Sequence, residues 1–379
     1  MREAPYIAVG GGLAGAAFAL ELARNGVAVV LLESTRAPHH KVCGEFLSTE
    51  AQALLSYLGL DLAAMGAMQV SIFRLANGRD CAEAPLPFRG AALSRFCLDQ
   101  ALLEAAESHG ANVERGVQVT QIDASDETVT VRTGSQVFTG RAAALATGKH
   151  NLRQYPRAAS DMVGFKLQLR VTPDSLGRLE DVVQLVTFNG GYIGACIVED
   201  GLVTLCWVLH RALLQRIGTS WPEQAKYFAQ QSEILAALLH EAKPQWDKPV
   251  AVAEIPYGYL RRSPIASNMF PLGDQLAVIP SFTGDGMSIA LYSGIAAAQA
   301  VLAGESAAQF QAQIVGRLRP QFRWAGLVNV LFEVRRLHGF SVKLAAALPS
   351  LVTWLAQSTR LKGFERSLDG PQKARQSRI

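Results

Sequence analysis

A chain of 379 residues that is 49% hydrophobic and 18% charged is too apolar to be disordered and long enough for two lobes at roughly 100–200 residues per domain. Its net charge of +4, without a dense Lys/Arg run interleaved with aromatics, excludes a nucleic-acid binder. The five cysteines (Cys43, Cys81, Cys97, Cys196, Cys206) form no CxxC pair, so no metal site and no disulfide framework is expected, and the absence of a signal-peptide pattern reads as a reducing, cytoplasmic location.

Tyr6–Val9 is a short apolar run, as a strand buried on both faces should be. It meets Gly10-Gly11-Gly12-Leu13-Ala14-Gly15 and then an Ala/Leu-rich helix over 16–25, closed by Gly26. Val27–Leu32 reads as a second buried strand ending in Glu33. In this βαβ unit Gly10 permits the turn, Gly12 lets a pyrophosphate approach the backbone, and Gly15 lets helix and strand pack closely. The helix N-terminus, with Leu13 and Ala14, offers unpaired N–H groups to phosphates, and the Glu33 carboxylate accepts from ribose hydroxyls.

A helix is expected over 95–109, then β-like runs at 117–122, 128–132 and 136–139, then a returning strand over 142–146 that ends at Thr147-Gly148. From Gly164 the pattern changes to alternating strands at 165–171, 182–188, 192–198 and 203–209, with hairpin turns at Asn189-Gly190-Gly191 and Glu199-Asp200-Gly201. Residues 212–243 read as helical. The chain returns near Ile265 to Phe270-Pro271-Leu272-Gly273-Asp274, Pro280 and Gly284-Asp285-Gly286, followed by a helix from Met287 to Leu302.

The fold class expected is α/β: a Rossmann-like FAD-binding lobe, an antiparallel β-sheet substrate lobe and C-terminal helices. The FAD-binding domain is discontinuous (1–45, 91–160, 265–305), the substrate domain takes 46–90 and 161–264, and 306–379 forms a helical segment with a basic tail. Residues 322–354 are apolar with Arg335, Arg336 and Lys343 interspersed. They read as a buried helical pair, with a greasy tunnel wall or a weak membrane-surface contact as alternatives. The tail (Lys362, Arg366, Lys373, Arg375, Arg378) reads as solvated.

The second glycine-bearing segment selects FAD over a nicotinamide. Asp274 can accept a ribityl hydroxyl and Gly273 avoids a clash there. Gly284 and Gly286 let the backbone pass close to the ring, and the helix N-terminus at Met287 faces charge on the reduced flavin. After the second strand the chain must pass beside the flavin, which makes Arg36, Lys41, Cys43, Gly44 and Glu45 candidates to line it. Cys43 and Glu45 are the catalytic candidates, Cys43 as a proton relay or redox-sensitive thiol and Glu45 as the group that orients the ring or a water. His39 and His40 read as loop surface, and His150 and His210 have no partner visible in the sequence.

The ordered set Gly10–Gly15 with Glu33, Lys41-Val42-Cys43-Gly44-Glu45, Arg95, Ala146-Thr147-Gly148, Gly273-Asp274, Pro280 and Gly284-x-Gly286 resembles the para-hydroxybenzoate hydroxylase-like flavoproteins, and within them the geranylgeranyl reductase-related branch. The resemblance implies FAD in the first lobe with its ring at the lobe interface, Arg95 on the flavin side of the pocket, and Val119 near the adenine through its backbone. The tryptophan halogenases of this group carry a WxWxIP stretch that is missing here, where Trp207 stands alone. No second GxGxxG is present, so NAD(P)H bound transiently, or a flavin reductase, supplies electrons.

The function expected is an FAD-dependent monooxygenase (hydroxylase) that acts on an aromatic or electron-rich apolar substrate, free or tethered to a carrier or protein, through a flavin C4a-hydroperoxide in a dry pocket. The alternatives are a double-bond reductase of the geranylgeranyl reductase type, with Cys43 or a water as proton source, and a flavin-binding protein without turnover.

Overall fold

The computed structural model describes residues 2–125, 127–158 and 160–364; the tail beyond Phe364 and its expected solvation lie outside them. The first lobe is built on a five-stranded, all-parallel sheet. Its strands run in the order Met269–Pro271, Ala142–Leu145, Tyr6–Val9, Val29–Glu33, Asn112–Arg115.

Apolar residues occupy both faces of these strands because both are covered. Ala8 and Leu31 face helices Leu13–Arg24, Arg95–Ser108 and Gly286–Leu302. Ile7, Val9, Val30 and Leu32 face a three-stranded meander (Val119–Ala124, Val129–Thr133, Val137–Gly140) through Ile122, Val131 and Phe138. Helix 13–24 is almost wholly buried, which its Ala/Leu composition permits. It ends where Gly26 adopts φ +76°.

The second lobe is one nine-stranded sheet. Strands Met162–Arg170, Val203–His210, Gly191–Ile197 and Val182–Phe188 are antiparallel neighbours, and Val182–Phe188 pairs in parallel with Met68–Asn77 of the 68–92 hairpin. Asp200 and Gly201 make the second hairpin turn with φ +60° and +66°, conformations that Asp and Gly tolerate. The outer face packs Phe165, Leu167, Leu205 and Trp207 against helices Trp221–Gln231 and Glu233–Leu239. Trp207 is fully buried there, 5.5 Å from the ring of Phe165, with Nε1 donating to Gln224 Oε1 at 2.9 Å.

The 46–90 segment, expected with the substrate sheet, divides. Its 68–92 hairpin joins that sheet, whereas Ala51, Leu54, Leu55 and Leu58 pack into the core of the first lobe. Helices Ala307–Glu333, Arg335–Ala347 and Pro349–Ser358 follow. They are not a buried pair: they cover the inner face of the sheet on one side and leave Leu327, Phe340 and Trp354 exposed on the other.

Candidate active site

The C-terminal ends of three adjacent parallel strands (6–9, 142–145, 269–271) each run into one of the turns singled out by sequence, the position where open α/β sheets bind ligands. A Cβ on Gly10 (φ +106°) would collide with the Ala146 carbonyl, and one on Gly15 with the Gly10 carbonyl. A Cβ on Gly273 (φ +53°) would sit 3.2 Å from that of Ala14. Gln275 Nε2 donates to the Gly148 carbonyl at 2.9 Å, and the Gly273 N–H to Ser293 Oγ at 2.9 Å. The two glycine-bearing turns, remote in sequence, are therefore in contact, with Thr147-Gly148 between them.

Helix 13–24 begins at Gly12 with no side chain capping it and no acid in its first turn, so its N–H groups stay open to an anion. A Cβ on Gly12 would lie 3.5 Å from both Arg95 Nη2 and Lys41 Nζ. Asp99 gathers these cations, accepting from Arg95 Nε at 2.7 Å, from Arg95 Nη2 at 2.9 Å and pairing with Lys41 Nζ at 2.9 Å. Burial pushes the Asp99 carboxyl up, but Arg95 and then Lys41 outweigh it and hold it below its ordinary value. Two cations against one carboxylate, an uncapped helix end and a glycine facing them form a cradle that fits a pyrophosphate. Arg95, expected on the flavin side, stands at this cradle.

Glu33 accepts from the Gly11 N–H at 2.7 Å and the Thr35 N–H at 2.9 Å and lines a cleft with Thr35, Leu103 and Arg115. Burial raises its carboxyl, and Lys41 with these hydrogen bonds brings it below the usual range. It stays an ionised acceptor, as a ribose contact requires. Arg36 is exposed and lies over Gly116. Val119 opens strand 119–124, outside that cleft.

Asp274 pairs with Lys149 Nζ at 3.1 Å, and its carbonyl accepts from Arg157 Nη1 at 2.6 Å. Pro280 and Met287 are buried beside the next turn, where Gly284 takes φ +71°. A Cβ on Gly286 would meet nothing within 4 Å, so open space stands at the start of helix 286–302. The residues around both turns thus fit FAD, with its phosphates at Gly12 and its ring toward Gly286.

Glu45 is a correction. Expected to orient the ring or a water, it is fully buried with φ +61°. Its carboxylate accepts from the Arg95 N–H at 2.7 Å, from Gln168 Nε2 at 3.4 Å, from Thr204 Oγ1 and from the buried ammonium of Lys166. With four donors drawn from both lobes the carboxylate is a tie between them. Cys43 is half-buried, and its Sγ accepts from the Glu45 N–H at 3.4 Å. His40 is likewise no surface histidine. It stacks between Phe96 (5.0 Å) and Trp246 (4.3 Å), and burial, with Lys166 adding to it, pushes it down to about 4. His210 has a partner, Asp161 Oδ2 at 2.8 Å.

An apolar cavity of about 210 Å³ starts at Gly44 and the 281–284 turn and runs between the inner face of the sheet (Leu75, Leu185, Gly194, Cys206) and the C-terminal helices. Gln184, Ser341 and Thr353 are polar residues of its walls, and a further polar group gathers at the turn. Tyr192 and Tyr257 both hydrogen-bond Ser281 Oγ, Tyr257 at 2.8 Å, and burial pushes Tyr192 up to about 12, so it stays protonated. Arg360, the one cation of the lining among the described residues, bonds the Thr283 carbonyl and lies 3.0 Å from Asp285 Oδ1. Burial raises the Asp285 carboxyl to about 7 against the opposing pull of Arg360. Sequence reasoning missed Asp99, Lys149, Lys166, Tyr192, Tyr257 and Arg360. Only the Arg95/Asp99 pair carried a local signal, its i,i+4 spacing in a helix.

Residues 3–142 match the FAD binding domain family, which supports FAD as the cofactor of the first lobe. Over 365 residues the chain is 24% identical to a tryptophan 2-halogenase of Chondromyces crocatus, covering 86% of this chain and 67% of that protein. Among solved structures, the halogenase PltM in complex with phloroglucinol and FAD superposes with TM-score 0.73 at 16% identity, over 99% of this chain and 93% of that one. The myxobacterial chondrochloren halogenase CndH superposes with TM-score 0.76 at 18% identity, over 96% and 92%. The fold is thus that of the FAD-dependent halogenases and hydroxylases. These relatives support the wider para-hydroxybenzoate hydroxylase-like resemblance without singling out the geranylgeranyl reductase branch.

Proposed function

We propose that this chain is an FAD-dependent monooxygenase that places one oxygen atom on an electron-rich apolar substrate, a phenol above all. The observation that carries the reading is the apolar cavity that begins at the 281–284 turn, where Gly286 leaves room for a ring. Reduced FAD, when bound, activates O2 so that one atom enters the substrate and the other leaves as water. The chain's own part is position and dryness. Arg95, Lys41 and the open end of helix 13–24 hold the diphosphate, Glu33 a ribose and Asp274 the ribityl chain. The walls from Leu75 to Leu344 keep water away from the reacting atoms. The protonated hydroxyls of Tyr192 and Tyr257 meet at Ser281, where they can hold a phenolic oxygen. Electrons come from NAD(P)H bound transiently or from a flavin reductase.

A second reading, halogenation, is favoured by the halogenase relatives. Against it, the WxWxIP stretch is missing and the lone Trp207 faces the outer core. Purified protein incubated with NAD(P)H or a flavin reductase, O2, chloride and a panel of phenols separates the readings by product mass. A gain of about 16 indicates one oxygen, about 34 chlorine for hydrogen, and about 2, on a polyene, the reductase. Flavin uptake with no product from any donor leaves a binding protein.

A further inference from the structure

The three C-terminal helices have two apolar sides. One side, with Leu331, Leu344 and Leu355, walls the cavity. The other faces solvent. On helix 307–333 the exposed large apolar residues are Trp324, Leu327 and Val330, with Val334 just past its end; the spacing of three places the helical ones on one stripe. Leu327 is 64% and Phe340 56% exposed, too much for side chains that merely edge a core. Trp324 and Trp354 meet edge to face at 5.0 Å, joining the stripe to helix 349–358. A contiguous apolar patch of this kind marks an interaction surface.

The charge distribution says what covers it. The described part of this segment, residues 306–364, holds eight Lys and Arg against one acid, Glu333, a net +7, while the whole chain is only +4. Arg323, Arg336 and Lys343 are exposed among the apolar residues. Tryptophans and leucines rimmed by basic residues suit the boundary between acyl chains and anionic headgroups. A second copy of this chain fits poorly, because a two-fold interface would set this basic surface against itself. Among the described residues no single helix is long and apolar enough to cross a membrane, and helices Arg336–Ala347 and Pro349–Ser358 are bent by 106°.

We infer that the C-terminal helices dock on an anionic lipid surface, lying in its plane, with the apolar cavity directly beneath. The substrate class this favours is lipid-soluble, loaded from the bilayer between helices that are apolar on both sides. The inference adds to the proposed oxygen transfer, and its test does not depend on turnover. The full-length FAD-loaded protein is floated with vesicles of phosphatidylcholine alone and of phosphatidylcholine with phosphatidylglycerol, with tryptophan emission recorded. We expect flotation with the anionic vesicles, a blue shift from Trp324 and Trp354, and weakening by salt. The double variant Leu327→Asp/Phe340→Asp, altered only at exposed positions, should keep its FAD and lose affinity by on the order of ten-fold or more. Absence of wild-type flotation, or flotation unchanged in the variant, overturns the inference. So does a wild-type dimer that the variant turns into a monomer, which would assign the patch to a second copy.

Discussion

Replacing Gly12 separates two reasons for a glycine that the GxGxxG pattern runs together. Gly12 has φ −76°, open to any residue, and an added Cβ would meet only the tips of Arg95 and Lys41, at 3.5 Å. The apoprotein should therefore stay within about 1 kcal/mol of wild type in Gly12→Ala. A phosphate approaching that backbone meets the new methyl instead. Two N–H bonds to an anion at roughly 1.5–3 kcal/mol each give about 3 kcal/mol or more, over about a hundred-fold in affinity. Gly12→Val should lose FAD altogether. Gly15→Ala behaves otherwise: its Cβ runs into the Gly10 carbonyl, so the backbone must move at about 1–3 kcal/mol whether or not FAD is present. Flavin absorbance per protein after gel filtration, paired with melting of the apoproteins, distinguishes the cases. Full flavin retention by Gly12→Val, or an apo Gly12→Ala as unstable as apo Gly15→Ala, would refute the placement of the phosphates.

Glu45→Gln should cost about 3–5 kcal/mol by leaving buried Lys166 without its counter-charge, and the double variant Glu45→Gln/Lys166→Met should cost less than the two single changes added, as urea titrations would read. Asp285, raised by burial to about 7, keeps its proton in the folded chain after the unfolded chain has lost it. Its contribution is full below about pH 4, fades by at most about 1.4 kcal/mol per unit as pH rises to 7, and changes no further above that. Melting temperatures of wild type and Asp285→Asn across pH 5–8 should accordingly converge toward parallel only above 7, and parallel profiles throughout would contradict the burial argument. Cys43→Ala should keep oxygen-transfer turnover within a few-fold (about threefold), whereas loss of a product two mass units heavier would identify the reductase.

The parallel lobe was legible because each of its signals is local. Apolar runs of strand length, glycines at turns and an acid after the second strand all act within about thirty residues, the scale of one βαβ unit. The contact between the Gly10 and Gly273 turns was foreseeable because each turn needs the same ligand. What stayed hidden has one physical origin. In strand 162–170 the residues Gly164, Lys166 and Gln168 alternate with Val163, Phe165 and Leu167, which by pattern is a strand wet on its polar face. That face is instead turned inward, with Lys166 fully buried on Glu45. An alternating strand states which residues share a face but not whether the second face meets water or another lobe. Lys166 and the stacked His40 depend on that second fact, which arises only when the lobes close.

Glu45 shows why that closure bears on chemistry. A non-glycine residue at φ +61° is strained, and such a conformation persists only if its surroundings over-determine it. The surroundings here come from both lobes: Arg95 belongs to the first, Lys166, Gln168 and Thr204 to the second. One carboxylate thereby fixes the path of Cys43-Gly44, of which Gly44 borders the cavity, and Arg95, the first residue of the helix at the phosphate cradle. Loss of that tie should loosen cofactor and cavity together. Glu45→Gln should therefore weaken FAD binding although Glu45 meets the proposed phosphate site only through the Arg95 backbone N–H, and a variant that unfolds more easily yet binds FAD with wild-type affinity would show that the two lobes are held in register by other contacts.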